Sequence, residues 1–242
     1  MNDVIMPTTD EARIEAEALD FARSHKKAIA KRLTDPKIFV AEAIPVSVFM
    51  AGSPGAGKTE ASLELLQRFG EGAAIRIDPD ELRAEFPAYD GRNAWLFQKA
   101  VSVLVDKIHD AALSQRQSFL LDGTLSRYDV AQRNITRSLD KERPVQILYV
   151  YQEPQLAWNF VQAREAIEGR RIRPEHFVDQ YFAARDVVNR LKLEFGKRIH
   201  VDLLLKNNDN SQRLYVAGVD QIDHHVPERH SRADVESMLK LR

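Results

Sequence analysis

The chain has no cysteine in its 242 residues. That absence excludes disulfide scaffolds, cysteine-ligated zinc, iron–sulfur clusters and thiol catalysis, and it fits a reducing cytoplasm. Long apolar runs are missing as well: no stretch approaches the roughly 20 residues that cross a bilayer. The amino terminus, Met1 to Ala12, carries acids where an export signal needs basic residues ahead of an apolar segment. Nor is there an excess of either charge, with 35 basic against 36 acidic side chains and a net charge of -1. Wholesale binding to nucleic acid or to a membrane surface is therefore not expected. A cytoplasmic globular protein is, and a chain of this length can bury a core without disulfide or metal.

What the chain does have is alternation. Residues 10–33 favour helix, with Ile14, Ala18, Phe21, Ala22, Ile29 and Leu33 near one face, and Asp35-Pro36 ends it. After Pro45, five β-rich runs follow: Val46–Met50, Ala74–Ile77, Ser118–Leu121, Gln146–Val150 and His200–Leu204. Between them lie helical patterns at Thr59–Phe69, Ala94–Gln115, Val130–Leu139, Gln155–Ile167 and Glu175–Phe195. This order implies an α/β fold with a parallel sheet of about five strands and helices on both faces. Residues 1–44 read as a helical extension packed on the core, and residues 45–242 as one domain. Asn207 to Gln212 reads as a surface loop, Tyr215 to Val219 as a possible further strand, and Ser231 with Asp234 as the start of a last short helix.

Gly52-Ser53-Pro54-Gly55-Ala56-Gly57-Lys58-Thr59 matches the P-loop pattern in full. Its glycines let backbone N–H groups close around a phosphate. Lys58 can reach the β- and γ-phosphates of ATP, the Thr59 hydroxyl can ligate Mg²⁺, and the helix that follows adds its positive end. The motif lies after a strand and before a helix, where the mechanism needs it. It defines phosphate binding and leaves the substrate open.

Three features narrow the class. Phe119-Leu120-Leu121-Asp122 is a Walker-B-like strand, yet Gly123 follows where motor ATPases place a water-activating glutamate. Lys206-Asn207-Asn208-Asp209 has the wrong order for a guanine-reading motif. Arg164, Arg170, Arg171 and Arg173, ahead of Pro174, suggest the basic lid with which small-molecule kinases neutralise a migrating phosphoryl group. Asp78 and Asp80, after the second strand, lie at the carboxyl edge where open α/β sheets bind ligands. Asp80 is the candidate base for the acceptor hydroxyl, and Asp78 the candidate helix cap.

The ordered motifs GSPGAGKTE, IDPDELRAEFP, LLDGT and an arginine lid before a proline resemble those of the zeta-toxin kinases of bacterial toxin–antitoxin systems. The resemblance covers about Val46 to Asn207 and implies a P-loop kinase that uses ATP to phosphorylate the 3′-hydroxyl of the sugar in UDP-N-acetylglucosamine. It implies Asp80 as the catalytic aspartate, Lys58 and Thr59 as the phosphate and magnesium contacts, and Arg164 and Arg171 as the phosphate-binding arginines. Asp122 and Thr124 fall in the place of substrate contacts, and Asp106 in that of a substrate-binding glutamate. At two of these positions aspartate replaces the family's glutamate, which shortens the reach by one methylene each. An antitoxin partner, or self-inhibition by the amino-terminal helix, is implied as well. A metabolic kinase resembling gluconate or shikimate kinases is the alternative function, and a nucleotide-dependent binding switch a third; Asp122 can serve either metal or substrate. His224, His225 and His230 lack metal-ligand spacing, and Trp95, Phe97 and Trp158 read as core or pocket wall.

Overall fold

The structure, a computed structural model, describes residues 8–169, 172–206, 213–226 and 230–239. The chain opens with helix α1 (Thr9–Leu33), whose start is fixed by a capping box. Thr8 Oγ1 accepts from Glu11 N at 3.3 Å, and Glu11 Oε2 accepts from Thr8 N at 2.7 Å. Six strands then form one sheet: β1 (Ser47–Ala51), β2 (Ile75–Ile77), β3 (Phe119–Leu121), β4 (Val145–Tyr151), β5 (Ile199–Lys206) and β6 (Arg213–Val216). Their spatial order is β2-β3-β1-β4-β5-β6, with the first five parallel and β6 antiparallel to β5. The sixth strand therefore starts earlier than Tyr215 and turns back as a hairpin, closing one edge of the expected parallel set.

Helices connect the strands: α2 (Lys58–Phe69), α3 (Gln98–Ser114), α4 (Tyr128–Leu139), α5 (Pro154–Glu168), α6 (Pro174–Phe195) and α7 (Arg232–Met238). Ser231 and Asp234 form the capping box of α7, as their spacing suggests. Every residue of β1 is buried, and alternation splits its side chains between two cores. Phe49 and Ala51 join the larger core with α1, α3 and α6, whereas Val48 and Met50 pack with Leu120, Leu148, Val150 and Ala61 of α2. The pattern expected as one helix over 94–115 is in fact a 3₁₀ turn (Ala94–Phe97) followed by α3.

Helix α1 is built into the larger core through Ala18, Ala22, Ile29 and Ala30, and its contacts are chiefly with α3. Its end is tied down by Gln115 Nε2 donating to Thr34 Oγ1 (2.9 Å) and Gln117 Nε2 donating to the carbonyls of Thr34 (3.1 Å) and Phe39 (2.7 Å). Among the described residues no helix is long and apolar enough to cross a membrane.

The switch in strand order at β1 sets the site. The chain leaves β1 for β2 and β3 on one side, then returns for β4 and β5 on the other, which leaves a crevice at the carboxyl end of β1. Register does the rest. Ile77 pairs with Leu121, so Asp78 and Asp122 emerge side by side. Tyr151 pairs with Leu205, so Gln152 and Lys206 do the same on the far side.

Candidate active site

The P-loop joins β1 to α2 and is held from three directions. Gly52 N donates to Thr124 O at 3.2 Å, and a β-carbon at Gly52 would collide with the Val150 carbonyl. Gly57, at the helix start, has φ 80° and ψ 33°, the left-handed conformation that suits glycine. Lys206 Nζ donates to its carbonyl at 3.0 Å, and a side chain on Gly57 would strike that ammonium. The loop's shape thus depends on the ends of β3, β4 and β5 together.

Lys58 Nζ bonds the carbonyls of Gly52 (3.1 Å) and Ser53 (2.6 Å), folded back over the cradle. Burial pushes its ammonium down to about 8, opposed by Asp122, Asp80 and Asp78, while Arg164 lowers it further. A phosphate arriving in the cradle would favour the charged form again.

The carboxylates facing the loop are organised by Arg76, an arginine in the middle of β2. Its guanidinium donates to Asp78 Oδ2 at 2.6 Å, Asp122 Oδ2 at 2.7 Å and Ser62 Oγ at 3.2 Å, and it also pairs with Glu81. Ser62 Oγ lies 2.8 Å from Asp122 Oδ2, which links this cluster to α2. Asp78 is pushed up to about 6, first by burial and then by Asp80, with Arg76 opposing. Asp78 Oδ1 accepts from Asp80 N at 2.7 Å and so shapes the turn that carries Asp80. Asp80 opens onto the cleft just before a 3₁₀ segment (Glu81–Glu85) and pairs with that segment's Arg83.

A cleft of about 1230 Å³ runs over the P-loop. Of the residues expected at the site, Pro54, Gly55, Ala56, Gly57, Lys58, Thr59, Asp80, Asp122, Thr124 and Arg164 line it, as does Arg173. Gly52 and Ser53 lie beneath, in the base of the loop. Arg170 and Arg171 lie outside the described residues. Asp106 is not in the cleft. It sits on α3 beside α4, paired with Arg133 at 3.2 Å and Arg137 at 3.7 Å. The reason is helical rise: Gln98 at the start of α3 does line the cleft, and Asp106 is two turns further, about 12 Å along the axis. Among the described residues that line the cleft, none belongs to α1.

Sequence reasoning passed over Arg76, Arg83, Gln98, Gln152 and Lys206. A charged residue inside the apolar run Ala74–Ile77 was the available signal for Arg76, and Arg83 stands within the quoted IDPDELR motif. Gln152 is 2% exposed, and its amide nitrogen has no hydrogen-bond partner in the structure although the residue borders the cleft. Mg²⁺ would meet oxygen donors here, the Thr59 hydroxyl and Asp122. Asp122 Oδ2 is already engaged by Ser62 and Arg76, so Asp122 would serve the ion through its other oxygen.

Comparison with known proteins bears directly on this arrangement. Toxin PezT of Streptococcus pneumoniae serotype 4 (strain ATCC BAA-334 / TIGR4) is 26% identical over 121 residues, 47% of this chain and 47% of that relative. The chain thus aligns with about half the length of the curated relative it matches. Among solved structures, the PezAT chromosomal toxin–antitoxin system of Streptococcus pneumoniae superposes with a TM-score of 0.59 at 18% identity, covering 98% of this chain and 94% of that one. The AvrRxo1-ORF1:-ORF2 structure with ATP gives 0.55 at 18% identity over 84% of this chain and 65% of that one. At such identities the superpositions speak for the fold. The family model described as Zeta toxin matches residues 29–220, a span that takes in the P-loop, both aspartate turns and the arginine-bearing helix, and the chain belongs to the zeta toxin family.

Proposed function

We propose that the protein is an ATP-dependent kinase that transfers the terminal phosphoryl group to a hydroxyl of a nucleotide sugar, with UDP-N-acetylglucosamine the first acceptor to test. The observation that carries this reading is that Lys58, Thr59, Asp80, Asp122, Thr124 and Arg164 open onto one cleft. A phosphate cradle alone would serve a binding switch. A carboxylate opposite it and a cation on the other wall are what transfer to an acceptor adds. Volume supports room for an acceptor beside the nucleotide: about 1230 Å³ exceeds the roughly 300–1,000 Å³ typical of a pocket for one small ligand.

In this reading Asp80 orients the acceptor hydroxyl and receives its proton, while Arg83 holds the carboxylate in place. Lys58 and Arg164 neutralise the phosphoryl oxygens as the new oxygen–phosphorus bond forms and the bond to the β-phosphate breaks. Arg171 is proposed as a second lid cation on the family's pattern. Mg²⁺, held through Thr59, Asp122 and the phosphates, supplies further charge neutralisation when bound. A protein partner that restrains the enzyme belongs to the same proposal, supported by the toxin–antitoxin system to which the pneumococcal structure belongs.

The test is a panel of UDP-sugars, gluconate and shikimate incubated with ATP–Mg²⁺, with phosphorylated product read by mass spectrometry. Asp80→Asn should lower turnover by about 10²–10⁴-fold with ATP binding close to normal. Lys58→Ala should stay inactive at saturating ATP. An inactive Asp78→Asn beside an active Asp80→Asn would assign the base to Asp78 instead.

A further inference from the structure

We infer that Trp95 and Gln98 form the seat for the planar base of the acceptor nucleotide, and so determine which class of acceptor is used. The inference rests on the reading that the Asp80 side of the cleft holds the acceptor. Topology divides the cleft at the P-loop. Asp80, Arg83, Asp122 and Thr124 come from the β2–β3 side, whereas Gln152, Phe160, Arg164 and Lys206 come from the β4–β5 side. In-line transfer puts donor and acceptor on opposite sides of the moving phosphoryl group, so the nucleoside of ATP extends toward β5 and the acceptor toward β2. Trp95 stands in the β2–β3 connection, on the acceptor side.

Trp95 is 51% exposed on the cleft wall, between a turn and two residues, Leu96 and Phe97, that are buried in the core. The turn before it is held by side-chain hydrogen bonds. Asp90 Oδ1 accepts from the backbone N–H groups of Arg92 (2.9 Å) and Asn93 (3.1 Å), and Asn93 Nδ2 donates to Ala88 O at 2.8 Å. Trp95 lines the same cleft as Asp80 and Arg83, which belong to the same connection, so its exposed ring offers a flat apolar face on the acceptor side. Gln98 follows at three residues' distance, which in a 3₁₀-to-α-helical turn brings it onto the same face. A flat ring for stacking beside a carboxamide, both donor and acceptor, complements a pyrimidine's face and its alternating carbonyl and N–H edge. A sugar acid would have no use for either group and would call for cations there.

Two tryptophans make the test direct. Trp158 is 8% exposed and packed on Phe177 at 5.2 Å, so a Trp158→Phe protein reports on Trp95 alone. Titration with UDP should quench its fluorescence to saturation, whereas N-acetylglucosamine 1-phosphate, which lacks the base, should not. Trp95→Ala should raise KM for UDP-N-acetylglucosamine about 5- to 150-fold with KM for ATP unchanged, and Trp95→Phe should recover much of it. Turnover of the UDP-sugar with an unaltered KM in Trp95→Ala would overturn the inference while leaving the kinase reading intact. Quenching by a non-hydrolysable ATP analogue, with a raised KM for ATP in Trp95→Ala, would assign Trp95 to the donor and overturn it as well. If no UDP-sugar is phosphorylated by the wild-type protein and UDP causes no quench, the reading beneath it fails.

Discussion

Arg76 carries the densest set of interactions at the site, and its removal tests whether the cluster is held by charge. Asp78 and Asp122 are buried beside each other, and the guanidinium that binds both is 10% exposed. Replacing it with methionine keeps most of the volume but leaves two buried carboxylates uncompensated. Arg76→Met should therefore lose about 3–5 kcal/mol of stability, read by denaturant unfolding, and adding Asp78→Asn should restore part of it. His109 makes the opposite case, a titratable group that no charge partner supports. It is fully buried between Phe49 and Phe119, both ring nitrogens lack partners, and burial first, then Arg137, Arg143 and Arg133, push it down to about 3. Because the unfolded chain takes up this proton near pH 6.5 and the folded one near 3, His109 costs stability as pH falls through that window. Relative to His109→Leu, the wild type should lose about 1.4 kcal/mol per pH unit between pH 6 and 4. Comparing the two proteins matters, since Asp78, with its raised value, contributes in the reverse direction between about 4 and 6. Equal pH dependence in the two proteins would show that His109 is hydrated in solution. Neither residue was legible as a site feature, because polarity and periodicity place a side chain on a face but do not tell what meets it there.

At the scale of elements, much was legible. The P-loop, the five parallel strands and the long helices follow from caps, glycines and apolar period, and they lie within a few residues of their expected bounds. What escaped was depth. Asp106 has the right residue type on the right helix, yet lies two turns from the cleft, and only the sheet's position relative to α3 could reveal that. The hairpin of β6 escaped in part: a further strand was expected from Tyr215, whereas it starts at Arg213 and pairs antiparallel with β5, a direction that the sequence pattern of a strand does not carry. Helix α1, expected as an extension packed on the core, covers α3, whose Ala100, Val101, Leu104 and Ile108 are buried. Ile29→Ala should cost about 2–5 kcal/mol of stability while leaving turnover at permissive temperature unchanged. Removal of residues 1–33 should give an unstable or insoluble protein, and a stable truncation with raised activity would support the self-restraint idea. Beneath the sheet, Arg143 has a comparable part, donating to the carbonyls of Gln117 (2.6 Å) and Val46 (3.1 Å) while its guanidinium lies 5.1 Å from the centre of the Phe119 ring.

For the molecule as a whole, the proposed activity has a consequence in cells. Expression in a bacterium should arrest growth or cause lysis, and Asp80→Asn at equal soluble level should relieve it. Equal harmlessness of both proteins would favour a housekeeping kinase. The cradle also sets a limit on when any such activity can begin. Lys206 closes on Gly57 from 149 residues further along the chain. During synthesis at about 5–20 residues per second, the P-loop would wait about 7–30 s for that ammonium to emerge. A nascent or prematurely ended chain lacking β5 would hold the phosphate-binding sequence without the strand that shapes it. Ribosomes could thus carry the unfinished protein without exposing the cell to its chemistry.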